Sequence, residues 1–492
     1  MGRGRQANRY ERAILFTIIC IGAAFATRHA YLSYGFHLDD FSFIHMGGLT
    51  LAKLAHAFNP VSIRWFYRPV FLLWILSFNT ILPNNSTALH AAGIALFGIT
   101  IALSSSLSYR LTGSRVAAGV TGLLFLFGIG MEEAISWIAS GSTLLAALFS
   151  ILTLHLWLTW RDSGHRRLFP LFLLTMMIAM CSKEDAATLP LIIIVFDWYL
   201  LGRGDARPKL RTLMPTWAAV MGVMAVYGVL DIMAYHYVNV ATHGGVSKLW
   251  NGFGMSGLRL TLSFGMRTLL YNQFGRPILV PVTSTILFPA LIACLLFRAR
   301  KTPLVFYGTL IAILGFLPAP VASGVHSASE RFAYLPDLYG ALLAGFIIYK
   351  ALAAKSLMVK SMGVLLVITA TTYRLPNLNV YPEFFIQLML FIFLPFICYV
   401  IWRSNPKMLA FCLFASLLCV ADVVVQLTNP DLALAPIGGI IGILCAVFQR
   451  DEILATALLG AILSAGSPYI LWAVVLMAWR LATMETRPAS IQ

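Results

Sequence analysis

Charge is what this sequence has least of. Only 11% of its 492 residues are Asp, Glu, Lys or Arg, while 59% are hydrophobic; soluble domains carry about a quarter charged residues. A soluble fold has nowhere to hide that much apolar surface, but a bilayer does. Acid is scarcer than base, with 19 Asp and Glu against 35 Lys and Arg and a net charge of +16. The surplus does not imply a nucleic-acid partner, because most Lys and Arg stand in short segments between apolar runs, as the positive-inside rule expects. The 7 cysteines are odd in number and show no metal-ligand spacing, so neither a disulfide framework nor a metal site is expected. Alternating strand patterns, tandem repeats and low-complexity tracts are also missing, which argues against a membrane barrel, and no Gly-rich phosphate loop is visible.

What is present is a succession of apolar runs of roughly the length of a membrane-crossing helix. Backbone groups in lipid must be satisfied within their own segment, so the runs read as helices. They fall near 13–34, 90–109, 116–131, 142–160, 168–182, 186–201, 213–234, 278–297, 303–319, 336–354, 357–373, 381–402, 407–427 and 431–448. A further stretch, 453–482, is interrupted by Gly466-Ser467-Pro468. The expectation is an all-α, polytopic integral membrane protein of about 14–16 helices. Arg3, Arg5, Arg9 and Arg12 precede the first run, and Ala24-Phe25-Ala26 imitates a cleavage site. Apolar character continues to Phe36, which favours a retained helix with a cytoplasmic N-terminus. Basic clusters at Arg110/Arg115, Arg161/Arg166/Arg167, Arg203–Arg211, Arg298–Lys301, Lys350–Lys360, Arg403/Lys407 and Arg450 set the rest of the topology.

Two long external loops result. The first, 35–89, contains the short apolar piece 69–82, expected as an interfacial helix. The second, 235–277, is glycine-bearing and reads as loop plus amphipathic helix. Asp39-Asp40, Glu132-Glu133, Glu184-Asp185 and Glu330 all fall on the external side, accompanied by Arg64, Arg68, Lys183 and Arg331. Charges at the membrane are costly and commonly functional, so these separate segments point to one shared polar cavity. Asp422 is the one acid that reads as deeply placed.

Five blocks carry a resemblance. They are His37-Leu38-Asp39-Asp40-Phe41; Tyr67-Arg68-Pro69-Val70 with Ala88-Leu89-His90; Glu133-Ala134-Ile135-Ser136-Trp137-Ile138 with Leu144–Phe149; Ser182-Lys183-Glu184 with Thr188-Leu189-Pro190-Leu191; and Ser329-Glu330-Arg331-Phe332-Ala333-Tyr334-Leu335-Pro336. In this order they resemble the membrane core of GT-C glycosyltransferases, in particular the tetratricopeptide-repeat-type protein O-mannosyltransferases. The family's repeat domain is absent. Its "HP" start and "GR…D" residues are also missing from the second-loop block, where Gly141, Ser142 and Thr143 stand. The expected organisation is a catalytic core over 1–375 and additional membrane helices over 376–492.

The resemblance implies a polyprenyl-phosphate-linked sugar donor and an extracytoplasmic protein, lipid or glycan acceptor. It also implies a bacterial inner-membrane enzyme with no cofactor. The residue types suit that chemistry independently. An acceptor hydroxyl must lose its proton as it attacks the anomeric carbon, which calls for a carboxylate base. The departing lipid phosphate needs cationic donors, for which Arg is well shaped. The base is Asp40 or Asp39, with the other orienting the acceptor or nearby cations. Arg331 is the first choice for the phosphate, supported by Lys183. Tyr67, Arg68 and His90 shape the site. Glu133 and Glu184 orient cations or bind sugar hydroxyls, with Glu330 instead a structural partner of Arg331.

Each residue has a structural reading beside the functional one. The aspartate pair is also a helix cap, Lys183 a snorkelling anchor, Glu330-Arg331 an interfacial ion pair, and Glu133 and Glu184 buried partners. The competing functions are a transporter or lipid flippase, which would place charges near the bilayer midplane, and a noncatalytic assembly subunit.

Overall fold

The computed structural model describes residues 2–62, 66–128, 131–201, 210–242, 303–316 and 334–353. Arg64, Glu330, Arg331, Asp422, most of the second external loop and every expected element beyond 353 lie outside these residues. Among the described residues every regular element is helical. Helix α1 (Gly2–Arg28) runs on through a 3₁₀ turn, His29–Ser33. Two short helices, α2 (Asp40–Ile44) and α3 (Leu51–Phe58), precede α4 (Pro69–Ile81), α5 (Ser86–Thr112), α6 (Arg115–Leu126) and α7 (Met131–Ser136). A 3₁₀ turn at Ile138–Ser140 leads into α8 (Gly141–Ser163), followed by α9 (Leu168–Ser182). Another 3₁₀ turn, Glu184–Thr188, opens α10 (Leu189–Leu201); α11 (Leu210–Thr242), α12 (Pro303–Phe316) and α13 (Tyr334–Ala353) follow.

Among the described residues four stretches are long and apolar enough to cross a membrane: Glu11–Ser33, Ser86–Thr112, Ile138–Ser163 and Leu213–Ala234. They match the runs expected at 13–34, 90–109, 142–160 and 213–234. Their ends have local causes. Asn85 caps α5 by accepting from the Ala88 N–H at 2.9 Å. Gly113 and Gly164 end α5 and α8 in the left-handed conformation, at φ 70° and 65°.

Helices α1–α5 and α7–α11 belong to one compact unit and α6 to another, while α12 and α13 are each divided between the two. In the first unit, α8 packs along α9 and α5, and α5 along α1. Small residues make these approaches close. Helix α5 buries Gly93, Gly98, Thr100, Ala102, Ser104, Ser105 and Ser108, and α8 buries Gly141, Ser142, Thr143, Ala146, Ala147 and Ser150. Several hydroxyls turn back onto their own helix: Thr100 donates to the Leu96 carbonyl and Thr153 to that of Phe149. A buried hydroxyl thereby avoids an unpaired donor.

Two expectations change, and the short apolar piece expected over 69–82 forms a helix, α4, that packs inward. Phe71 and Ile75 enter a core with Leu89, Ile138 and Leu145, and Trp74 fills the space beside Gly141. Its composition explains this, since Phe71, Ile75, Leu76 and Asn79 form one buried stripe at helical spacing. The helix expected over 116–131 stops at Leu126, and a separate short helix begins at Met131. Helix α11 runs to Thr242, into the stretch expected as the start of the second loop.

Both ends of the bundle carry paired charges. At the end formed by the last turns of α5, α8 and α10, Arg110 pairs with Asp162 at 2.6 Å. There Arg161 forks onto Asp197 at 2.8 and 2.6 Å, and the Trp217 indole N–H donates to the same carboxylate at 3.0 Å. The opposite end holds the candidate site.

The α1–α5 seam supplies a test. A Cβ on Gly98 would lie 2.6 Å from the Ile21 Cα, whereas one on Gly22 would meet nothing within 4 Å. Gly98→Ala should therefore destabilise the protein by ~1–3 kcal/mol through overpacking, seen as a lower thermal midpoint in detergent. Gly22→Ala should leave the midpoint unchanged or raise it.

Candidate functional site

The first charged cluster forms around α2. Residues His37–Asp40 close on themselves: the Asp40 N–H donates to the His37 carbonyl at 2.9 Å, and the His37 N–H donates to Asp40 Oδ2 at 3.0 Å. Leu38 takes the left-handed conformation inside this loop, at φ 45°. For a leucine that conformation costs on the order of 1–2 kcal/mol, a strain typical of functional segments. Asp40 Oδ1 then accepts the Ala139 N–H at 2.7 Å, across 99 residues of chain. The carboxylate is buried, at 1% exposure, while Asp39 is exposed and makes no side-chain cap bond.

His90 stands nearby, one turn into α5, with Nδ1 3.2 Å from the Ile135 carbonyl. The Tyr34 ring lies edge-on to both His37 and His90, at 6.4 Å from each. Burial pushes the Asp40 carboxyl above its ordinary value; the N–H groups of His37 and Ala139, then the His90 and His37 rings, pull only part of the way back. Glu133 sits on α7 beside this cluster, partly exposed, two residues before Ile135.

The second cluster lies between α4, the turn after α9, and α11. Arg68 holds Glu184 with two parallel bonds, Nε to Oε2 at 2.8 Å and Nη2 to Oε1 at 2.5 Å. Both side chains keep some access to solvent, at 22% and 24%. Burial alone would raise the Glu184 carboxyl, but the charge and hydrogen bonds of Arg68 outweigh it and hold it below its usual value. The guanidinium also lies over the Phe66 ring, 4.6 Å from its centre. Tyr67 is buried; its hydroxyl donates to the Phe58 carbonyl at 3.1 Å, and its backbone N–H donates to Asp231 Oδ1 at 3.2 Å.

Lys183 faces inward. Its ammonium lies 2.6 Å from Asp185 and donates to Thr143 Oγ1 at 2.9 Å, with both charged side chains under 10% exposed (3% and 7%). The expected support for a donor phosphate is thus paired with a carboxylate and a hydroxyl of this chain. Thr143 lies one turn along from Ala139, so the start of α8 receives Asp40 on one side and Lys183 on the other.

The described members of the expected set thus gather at one end of the first unit: Asp40, Asp39, His90 and Glu133 in one cluster; Tyr67, Arg68, Glu184 and Lys183 in the other. Arg331 and Glu330 lie outside the described residues. Two carboxylates had no assigned role at the sequence level, Asp185 and Asp231. Asp231 is the more telling, because it is a lone acid in an apolar 33-residue helix. That interruption is a signal visible in the sequence. Among the described residues no group of three or more His, Cys, Asp or Glu has a metal-binding arrangement. The sequence matches no protein-family model and no curated protein, and the fold matches no solved structure.

The pairs differ in what they do for stability. Lys183→Met should cost about 3–5 kcal/mol, because it strands the Asp185 carboxylate. The double change Lys183→Met with Asp185→Leu should recover much of the loss in thermal unfolding. Glu184 adds a pH dependence. Its folded pKa is depressed, so its contribution is complete above the ordinary glutamate value of ~4.3 and lost as pH falls through the folded value. Glu184→Gln should accordingly show a shallower loss of thermal stability on acidification than the wild type.

Proposed function

We propose that the protein is a polytopic membrane glycosyltransferase of GT-C type. It moves a sugar from a polyprenyl-phosphate carrier to a hydroxyl of an extracytoplasmic acceptor. The observation that supports this most is Asp40, a carboxylate held by two backbone N–H groups at the end of the bundle where the other acids and cations collect. A general base works best when fixed and when its pKa lies nearer the working pH than that of a free carboxylate. Burial moves Asp40 in that direction. Each carboxylate oxygen also retains a second lone pair after accepting its backbone bond.

The reaction is a displacement. The acceptor oxygen forms a bond to the anomeric carbon as its proton passes to Asp40. The bond between that carbon and the phosphate oxygen breaks, and the electron pair leaves with the polyprenyl phosphate. Asp39, exposed beside the base, orients the acceptor. The leaving phosphate needs positive charge. Arg68 and Lys183 are matched to carboxylates, so the main demand falls on Arg331 of the Ser329–Pro336 block. Arg68 contributes through Nη1, which lies outside its fork with Glu184. His90 supports the segment that bonds Asp40, and Glu133 is placed to meet sugar hydroxyls. The active face is extracytoplasmic and the N-terminus cytoplasmic, as the basic residues at the Arg110–Arg161 end support. A protein acceptor is preferred to a lipid or glycan, on the resemblance to O-mannosyltransferases.

A transporter is the second reading, favoured by one observation: Asp231 lies within an apolar span. The two readings part in proteoliposomes. A transferase consumes polyprenyl-phosphate-linked sugar and labels an acceptor, whereas a transporter moves its substrate unchanged.

With purified protein and a polyprenyl-phosphate-linked sugar, Asp40→Asn should lower kcat by about 10²-fold or more, while Asp39→Asn stays within roughly tenfold of wild type. The proton acceptor must be ionised. The acid limb of kcat/KM should therefore rise with pH through a value above the free aspartate's ~3.9. Unimpaired turnover by Asp40→Asn would remove it as the base.

A further inference from the structure

We infer that Asp231 is a positioning residue for Arg68, acting through the backbone of Tyr67. Its kinetic consequence rests on the glycosyl-transfer reading; its structural consequence does not.

Helix α11 buries one stripe, Leu213, Thr216, Val220, Tyr227 and Ala234, while Val226, Val229, Ile232 and Met233 on its other faces are exposed. Asp231 continues the stripe, four residues after Tyr227 and three before Ala234. A carboxylate on the inward face of an apolar span is expensive and persists where it does something specific. Here it accepts the Tyr67 N–H at 3.2 Å, a link across 164 residues. Tyr227, one turn earlier on the same helix, sets its ring 6.5 Å from the Tyr67 ring. Two points on α11 thus hold Tyr67 from one side, and the Phe58 carbonyl holds its hydroxyl from the other.

Arg68 follows immediately, its guanidinium held by Glu184 and lying over the Phe66 ring. It is the N-cap of α4 but makes no side-chain cap bond, and Pro69 after it supplies no N–H. The Arg68 carbonyl accepts the Leu72 N–H at 3.1 Å, so α4 begins at this residue without a capping side chain. The amide that Asp231 holds lies one residue before it and fixes where the chain enters the helix. The fork between Arg68 and Glu184 needs both side chains in one plane, so a small pivot of the Tyr67-Arg68 peptide would break it. The anchor uses a neutral backbone donor, for which an amide oxygen at the same place is still an acceptor, though a weaker one. A role by hydrogen bond is thereby separable from a role by charge.

The test compares Asp231→Asn, which keeps an acceptor oxygen, with Asp231→Ala, which does not. Thermal midpoints of Arg68→Ala, Glu184→Ala and the double variant, measured in full-length protein, give the coupling between these two side chains. That coupling should fall by about half or more in the Asp231→Ala background and persist in Asp231→Asn. With polyprenyl-phosphate-linked sugar, Asp231→Ala should raise the donor KM about tenfold while kcat stays within about threefold, and Asp231→Asn should resemble wild type in both. Should Asp231→Ala not fold, Asp231→Ser replaces it, since its hydroxyl is too short to reach Tyr67. Wild-type coupling and donor KM in the Ala or Ser variant would overturn the inference, as would an Asn variant impaired as severely as Ala. Loss of coupling in a protein whose wild type turns over no such donor would support the positioning role and reject the glycosyl-transfer reading instead.

Discussion

A carboxylate cut off from water must find donors, and Asp40 finds them in the main chain. One oxygen accepts the N–H of His37, three residues before it, and the other accepts that of Ala139, 99 residues after it. The second bond stitches the first loop to the entry of α8, the helix around which α5, α7 and α9 pack. Lys183 meets the same entry at Thr143, one turn further on. The arrangement of ionisable groups at this end follows from that one requirement of pairing in a poorly solvated place.

The two clusters solve the problem in different ways, and the difference bears on their chemistry. In the second, two cations face three carboxylates: Arg68 and Lys183 against Glu184, Asp185 and Asp231. Such a cluster is well suited to holding α4, α9 and α11 together, with Nη1 of Arg68 outside the fork with Glu184. Asp40, by contrast, is held by neutral N–H groups and has no cation bonded to it, so its burial is less compensated and its basicity is increased. A group held in that way can take up a proton at modest cost. A carboxylate locked to a guanidinium cannot.

The same separation orders the reading of function. The expected chemistry needs a base and a source of positive charge. Among the described residues Asp40 is the carboxylate proposed for the first, and Arg68 and Lys183 are paired with carboxylates. The proposed phosphate site therefore rests on the Ser329–Pro336 block, of which Tyr334 and Pro336 head α13. Strain at Leu38, directly before the aspartate pair, falls where a fold tolerates local cost for the sake of an exact side-chain position.

Much of this protein was legible from residue order alone. The apolar spans near 13–34, 90–109, 142–160 and 213–234 reappear with shifts of a few residues, because length and hydrophobicity are local properties that add along the chain. The gathering of Asp40, His90, Arg68 and Glu184 at one end was also readable, since alternate helix ends must share a side. Partner choice was not. Nothing local distinguishes Lys183 bound to Asp185 from Lys183 reaching for a phosphate, or a deep Asp231 from a gap in an apolar run. Pairing depends on which atoms lie within about 3 Å after packing, and that distance belongs to the tertiary structure alone.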